Sequence, residues 1–352
     1  MKNISKLLVG ILFSALAIAP SYAGELAVSG GATATYVTNG NDASAGKNIG
    51  VSNELDFSAS GELDNGYTWN YQVQLDNATA NNDDTRLEIG TDYGTIGLYV
   101  TEGGLSKELQ TGAGALGVGM DYISPTTFNT GYDVDGYSNI QYHLPADLLP
   151  LGLGVKVGYV PNMRSTAQLS AKESTETVTN ENTGRTLTQI QITAAPIDGL
   201  SIGGDAAETS DETGNARLAG GGDSGVSANL GAKYTMGQFT VGYTMGGYQP
   251  AVDTGVTAYY ENEFMGVQFD LNDSISVSYN EDRSEKKSRA AAIVAGASGA
   301  AQTVVEMEQK SYQLAYTTGG ATIGIAQVEV GNADYNSGQE EEQSVISLAI
   351  SF

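Results

Sequence analysis

Residues 67–76 read Tyr-Thr-Trp-Asn-Tyr-Gln-Val-Gln-Leu-Asp, apolar or aromatic at every odd position and polar at every even one. Successive side chains of extended backbone point to opposite sides, so this alternation specifies a strand with one apolar and one polar face. The period recurs. Ile346, Leu348, Ile350 and Phe352 alternate with Ser347, Ala349 and Ser351, and Ala228, Leu230, Ala232 and Tyr234 alternate with Asn229, Gly231 and Lys233. Helical 3.6-residue periodicity is hard to find, so the reading is all-β.

Punctuation divides the chain into sixteen strand segments: 25–38, 51–63, 67–77, 85–91, 95–101, 138–144, 153–160, 187–195, 200–209, 226–235, 239–246, 256–271, 275–283, 305–317, 321–331 and 342–352. Tight Gly/Asn/Asp turns such as Asp64-Asn65-Gly66 and Thr318-Gly319-Gly320 join strands in pairs. Long polar loops join the pairs at 39–50, 78–84, 102–137, 161–186, 210–225, 247–255, 284–304 and 332–341. An even strand count with short turns at one end and long loops at the other is the plan of a transmembrane antiparallel barrel. Soluble barrels share the alternation but turn the apolar face inward, which leaves a secreted β-rich binding protein or adhesin as a competing reading. The small residues on the apolar face (Gly30, Ala32, Ala34, Ala228) suit lipid better than a core. Tyr and Phe near strand ends suit interfacial girdles.

The first residues form an address. Lys2 and Lys6 precede an apolar run from Leu7 to Ile18, Pro20 breaks it, and Ser21-Tyr22-Ala23 places small residues at a cleavage site. The run is too short for ~30 Å of hydrocarbon. The expectation is a signal peptide over 1–23 and a single barrel domain over 24–352.

Composition excludes several chemistries. The 352 residues contain no Cys and one His, so disulfides, thiolate zinc sites and multi-histidine metal sites are absent. The net charge of −25 argues against nucleic acid as a partner. Gly112–Gly117 matches G-x-G-x-x-G but sits in mid-loop, without the βαβ unit that a dinucleotide site requires. Asp133-Val134-Asp135-Gly136 opens like a calcium loop and lacks the distal Glu, leaving Ca²⁺ on loop carboxylates as the sole candidate ion; no cofactor is expected. His143 has no G-x-S-x-G partner and reads as a wall residue, so an outer-membrane enzyme is not expected. The Ala/Gly-rich segment 290–301 reads either as a short helix in a loop or as a contact with another subunit.

The run Leu87-Glu88-Ile89-Gly90-Thr91-Asp92-Tyr93-Gly94-Thr95 resembles the hairpin that precedes the inward-folding third loop of Gram-negative trimeric porins. It is followed by a 36-residue loop, Glu102–Tyr137, and by the short strand Ser138-Asn139-Ile140-Gln141-Tyr142. The terminal Phe352 after alternating apolar residues resembles the signal read by the outer-membrane assembly machinery. The resemblance implies a sixteen-stranded, homotrimeric general-diffusion barrel in the lipid of a Gram-negative outer membrane, with loop 102–137 folded into the pore. It departs where such porins carry several arginines facing that loop: here Arg86 is the main one, and Tyr99 and Val100 stand where an Arg is common.

Sixteen strands enclose an aqueous channel, whereas eight are filled by side chains. The candidate constriction residues are Glu102, Lys107, Glu108, Asp121, Asp133 and Asp135. The candidate wall residues at lumen parity are Glu54, Asp56, Asp76, Arg86, Glu88, Lys156 and Lys233. Rings of carboxylates select cations. The expectation is a passive, weakly cation-selective pore for ions and small hydrophilic solutes. A substrate-specific channel, for example one for sugars with an aromatic ladder, is the competing transport reading.

Overall fold

The Gly/Asn/Asp triplets turn the chain where the alternation stops. The computed structural model describes residues 26–40, 46–76, 83–107, 128–145, 148–163, 186–210, 224–251, 256–290 and 303–352. Gly66, Gly94, Gly199, Gly237 and Gly319 all take φ between 54° and 128°, backbone that a side chain would strain. Asn side chains replace missing backbone partners in the same turns. The Asn65 Oδ1 accepts from the Tyr67 N–H at 3.1 Å, and the Asn272 Oδ1 accepts from the Ser274 and Ile275 N–H groups at 2.9 and 3.1 Å.

Sixteen strands result: β1 (Leu26–Gly40), β2 (Gly46–Glu62), β3 (Thr68–Asp76), β4 (Asp83–Thr91), β5 (Gly94–Val100), β6 (Asn139–His143), β7 (Gly154–Val160) and β8 (Leu187–Ile197), then β9 (Leu200–Thr209), β10 (Val226–Met236), β11 (Phe239–Gln249), β12 (Val256–Asn272), β13 (Ile275–Ala290), β14 (Thr303–Thr318), β15 (Ala321–Gly331) and β16 (Glu340–Ser351). Each pairs antiparallel with its chain neighbours, and β16 pairs with β1 to close a barrel. Followed through direct cross-strand partners, the register returns to β1 about 20 residues further along, a shear that inclines sixteen strands by ~40°. At the seam, the Phe352 N–H donates to the Gly30 carbonyl at 3.0 Å, and the Gly30 N–H donates back at 2.9 Å. Gly30 is required there: a Cβ would lie 2.5 Å from the Glu54 carbonyl oxygen and 3.3 Å from the Phe352 ring.

The barrel is inside-out relative to a soluble protein. Outward-facing Leu230, Val241, Ile325 and Leu348 are 42–56% exposed, while inward-facing Gln189, Gln309 and Asn262 are at most 1% exposed. This inversion removes the soluble-barrel reading, which needs the apolar face inside. On β12–β14 the outer apolar zone ends at the Tyr279–Tyr312 ring pair, 5.2 Å apart. Beyond it the outer face becomes charged. Arg283 pairs with Glu281 at 2.5 Å and Glu308 at 3.3 Å, Lys310 pairs with Glu308 at 2.9 Å, and Lys287 bridges Glu285 and Glu261.

That charged ladder explains the main boundary difference. Strand β13 runs to Ala290 instead of stopping at 283, and 284–290 is strand where the sequence reads as loop. Alternation persists there as charged Glu285 and Lys287 on the outer face against Ser284 and Ser288 inside, with Lys286 the inward exception, and cross-strand pairs replace apolar contact. Likewise β2 starts at Gly46 rather than 51. The segments 1–23, 108–127 and 291–302, which hold the signal peptide, Glu108, Asp121, the G-x-G-x-x-G run and nearly all of the Ala-rich stretch, lie outside the described residues, as does the Asp76 side chain.

Leu230→Arg, on the outer face in the middle of β10, is expected to lower unfolding stability in vesicles by about 2–4 kcal/mol, and Glu306→Arg, beyond the band, by less than about 1 kcal/mol. Fluorescence of the single Trp, Trp69, follows the unfolding. Equal losses would show that the band does not face lipid.

Candidate functional site

The lumen wall is polar by parity, and two apolar patches interrupt it. On β7–β9, Val160, Leu187 and Ala207 form the first, covered by Leu105 and Val134 of the long loop. On β12–β16, Phe264, Met307, Val328, Val330 and Val345 form the second, covered by Phe128 and Tyr335. Both are docking points for chain folded into the barrel. Hydrophobic side chains facing a watery lumen are stable only where something covers them.

The outgoing arm, residues 102–107, and the returning arm, residues 128–137, are tied to the wall by backbone hydrogen bonds from wall side chains. The Asn139 Nδ2 donates to the carbonyls of Glu102 and Val134, both at 3.0 Å. The Gln191 Nε2 donates to the Leu105 carbonyl at 2.9 Å, and the Val134 N–H donates to the Gln189 Oε1 at 3.0 Å. The Lys107 N–H donates to the Asp205 Oδ1 at 2.7 Å. Packing enforces the same placement, because a Cβ on Gly158 would sit 2.9 Å from Leu105 and 3.0 Å from Val134. Glycine serves again at Gly103 (φ 82°) and Gly131 (φ 139°), where each arm turns against the wall.

The two loop carboxylates of the Asp-Val-Asp-Gly run have different jobs. Asp133 is an internal clamp: its two oxygens accept from the Leu105 and Ser106 N–H groups, both at 2.8 Å, joining the outgoing arm to the returning one. Burial raises its carboxyl and these amides pull it back. Asp135 has no such clamp. Burial and the neighbouring Asp133 charge push it up to about 6. Glu102 pairs with Arg86 at 2.9 Å; burial raises its carboxyl and the guanidinium opposes that rise. No group of three acidic or His residues able to hold a metal occurs among the described residues.

The wall candidates other than Asp76, whose side chain lies outside the described residues, fall on the lumen side, opposite outward Leu87 and Tyr234. Asp56 accepts from the Gln72 and Gln74 amides at 3.0 and 3.2 Å, and Glu88 accepts from the Tyr99 hydroxyl at 2.5 Å. Glu54 faces the lumen across from Gly31. Lys156 lies between His143 and Gln191, within electrostatic reach of Lys107 and Arg86, and Lys233 lies opposite Ser201 and Gly242. The cationic groups Arg86, Lys107 and Lys156 therefore converge near the base of the loop, although they are far apart in sequence. Sequence reasoning missed Asp205, Gln189, Gln191, Asn139 and Tyr335. An available signal was parity-breaking: Phe264, Val328 and Val330 are apolar at lumen positions, which marks a wall that something must cover.

The closed sixteen-stranded barrel aligns with solved structures over nearly the whole chain. Their fold is that of the outer-membrane porins. A loop L8 deletion mutant of OmpT, an outer membrane protein of Vibrio cholerae, aligns with TM-score 0.66 and 12% identity, covering 94% of this chain and 100% of that one. The anion-selective porin from Comamonas acidovorans aligns with TM-score 0.63 and 13% identity, again over 94% and 100%. A mutant of the Rh. blastica porin aligns with TM-score 0.55 and 13% identity, over 93% and 100%. No family model matches the sequence, and no curated protein does either.

Asp133→Ala removes the acceptors of two backbone amides, a loss of about 1–3 kcal/mol for each left unsatisfied. The barrel is expected to stay heat-modifiable on gels while the loop base becomes sensitive to added protease. A variant as protease-resistant as the parent would show that the clamp does not hold the arms.

Proposed function

We propose that the chain is an outer-membrane porin: a passive, water-filled and weakly cation-selective channel for ions and small hydrophilic solutes. The observation that carries this reading is the sixteen-stranded barrel with its polar face inward and the arms of its longest loop folded into the lumen. A barrel of this strand number encloses water. The sign of the selectivity rests on fixed charge. Glu54, Asp56, Glu88, Glu102, Asp135 and Asp205 face the lumen or its loop, against Arg86, Lys107, Lys156 and Lys233, and the chain carries −25 overall. Hydrogen bonds from neutral amides, as at Asp56, hold a carboxylate in place without cancelling its charge.

The sugar-channel reading needs aromatic faces open to the lumen. A file of tyrosines does run inside the barrel: Tyr132, Tyr248, Tyr260 and Tyr335, with ring centroids 5.2–5.6 Å apart. Tyr260 and Tyr335 are only 7–8% exposed, so this file packs loop against wall and offers no open stacking track.

Localisation in a Gram-negative outer membrane follows from the apolar exterior together with the signal-peptide reading, and Phe352 is the element for the assembly machinery to read. A homotrimer is proposed on the outer wall of β16, β1 and β2. There Ile49 and Val51 are 76% and 67% exposed, and the small residues Ala34 and Gly50 leave a shallow hollow between Tyr36 and Leu348. OmpT of Vibrio cholerae has been solved in a trimer form.

Purified protein in a planar bilayer under a KCl gradient is expected to show stepwise conductance and a reversal potential of cation-selective sign. Anion preference would defeat the selectivity, and absence of conductance would defeat the channel. Because Asp135 titrates near 6, it is charged at pH 7 and protonated at pH 5. Cation preference is expected to fall across that interval, and Asp135→Asn should flatten the profile. A wild-type profile already flat between pH 7 and pH 5 would place Asp135 away from the ion path.

A further inference from the structure

The turn between β15 and β16 holds three of the six residues other than glycine that have positive φ among the described residues. Asn332, Asp334 and Tyr335 all have positive φ, at 53°, 52° and 58°. Such values are unusual for residues other than glycine, and an aromatic residue there is a genuine outlier. Strain of this kind persists only where the surroundings over-determine it. Here they do. The Asn332 Nδ2 donates to the Glu306 carbonyl at 2.7 Å, its Oδ1 accepts from the Gly338 N–H at 2.8 Å, and the Ala333 N–H donates to the Gln339 carbonyl at 3.0 Å.

The consequence of the strained turn is the direction of one side chain. Tyr335 points into the barrel, 7% exposed, with its ring edge-on to Tyr260 at 5.3 Å and the Lys286 Nζ 5.5 Å from its centroid. Its hydroxyl shares a hydrogen bond with the Ser284 hydroxyl at 2.7 Å and accepts from the Asn129 N–H at 3.2 Å. Asn129 belongs to the returning arm of the constriction loop. On its other side the Asn129 carbonyl accepts from the Asn262 Nδ2 at 3.0 Å, and the adjacent Phe128 ring meets Phe264 edge-on at 5.4 Å. A residue more than 200 positions away in sequence thus grips the returning arm of the loop folded into the lumen.

We infer that Tyr335 is a positioning residue for the constriction loop: the strained turn aims it inward so that its ring and hydroxyl pin Phe128–Asn129 against β12–β15. The inference deepens the channel reading and rests on it only for its conductance consequence. Tyr335 acts through the arm, so its removal should loosen residues 128–130 while leaving the barrel closed.

The chain has no Cys, so Thr130→Cys gives a single spin-label site in the full-length protein in detergent. In the parent background the label should be immobile. Tyr335→Ala should mobilise it, and Tyr335→Phe, which keeps the ring and loses the hydroxyl, should mobilise it partially. In bilayers Tyr335→Ala should raise the frequency of current flicker several-fold. Its effect should be non-additive with that of Phe128→Ala, because the two side chains hold one arm. A folded, heat-modifiable Tyr335→Ala variant with an immobile label overturns the inference. If that variant does not fold, Tyr335→Phe decides alone, and an immobile label there overturns it. Additive flicker effects overturn it as well, since they would make Tyr335 merely a bulky wall residue. A parent protein without conductance defeats the channel reading and leaves label mobility as the test of the latch.

Discussion

A backbone amide in hydrocarbon has no water to turn to, and every other feature of this molecule is arranged around that constraint. An open sheet would present two edges of unpaired N–H and C=O groups to lipid. Pairing β16 with β1 abolishes both edges, and the reciprocal bonds between Gly30 and Phe352 carry the closure to the chain terminus. Closure at sixteen strands then dictates the rest. The wall is one residue thick, one face must suit lipid and the other water, and the lumen is too wide for its own side chains to fill.

The unfilled lumen is where the folded-in chain belongs. A loop entering it brings its own backbone polar groups, which the wall satisfies with Asn139, Gln141, Gln189, Gln191 and Asp205. These are amides and one acid at lumen parity, and they would otherwise have read as generic pore lining. The apolar patches on β7–β9 and β12–β16 supply the complementary half of the attachment. The loop is thus held at two separated points, with Asp133 clasping the outgoing arm to the returning one.

Much of the candidate site was legible as parity and little of it as partnership. Alternation placed Asp56, Arg86, Glu88, Lys156 and Lys233 on the inner face, because a period of two leaves only two choices. It said nothing about what each would touch. Asp133 and Asp135 look equivalent in the sequence, two acids flanking a valine. In the fold burial raises both carboxyls, but one is tied to the amides of residues 105 and 106, which oppose the rise, while the charge of that neighbour pushes the other up further. Only the return of the chain across the lumen distinguishes them. The boundary differences have a similar origin. The outer face of β13 past Tyr279 keeps its alternation but replaces apolar residues with Glu281, Arg283, Glu285 and Lys287, and hydrophobicity alone ends the strand too early.

The sequence by itself determined the class, the strand number and the turn positions. These depend on local rules: the two-sided geometry of extended backbone, and the need for Gly, Asn or Asp where φ is positive or a side chain must replace a backbone partner. What only the tertiary structure decided is which residues meet across the barrel. Arg86 finds Glu102, Lys107 approaches Lys156, and Tyr335 reaches Asn129. Those encounters are set by the shear of the closed sheet and by the path of the loop through the lumen. Both are properties of the whole barrel, which no stretch of local sequence encodes.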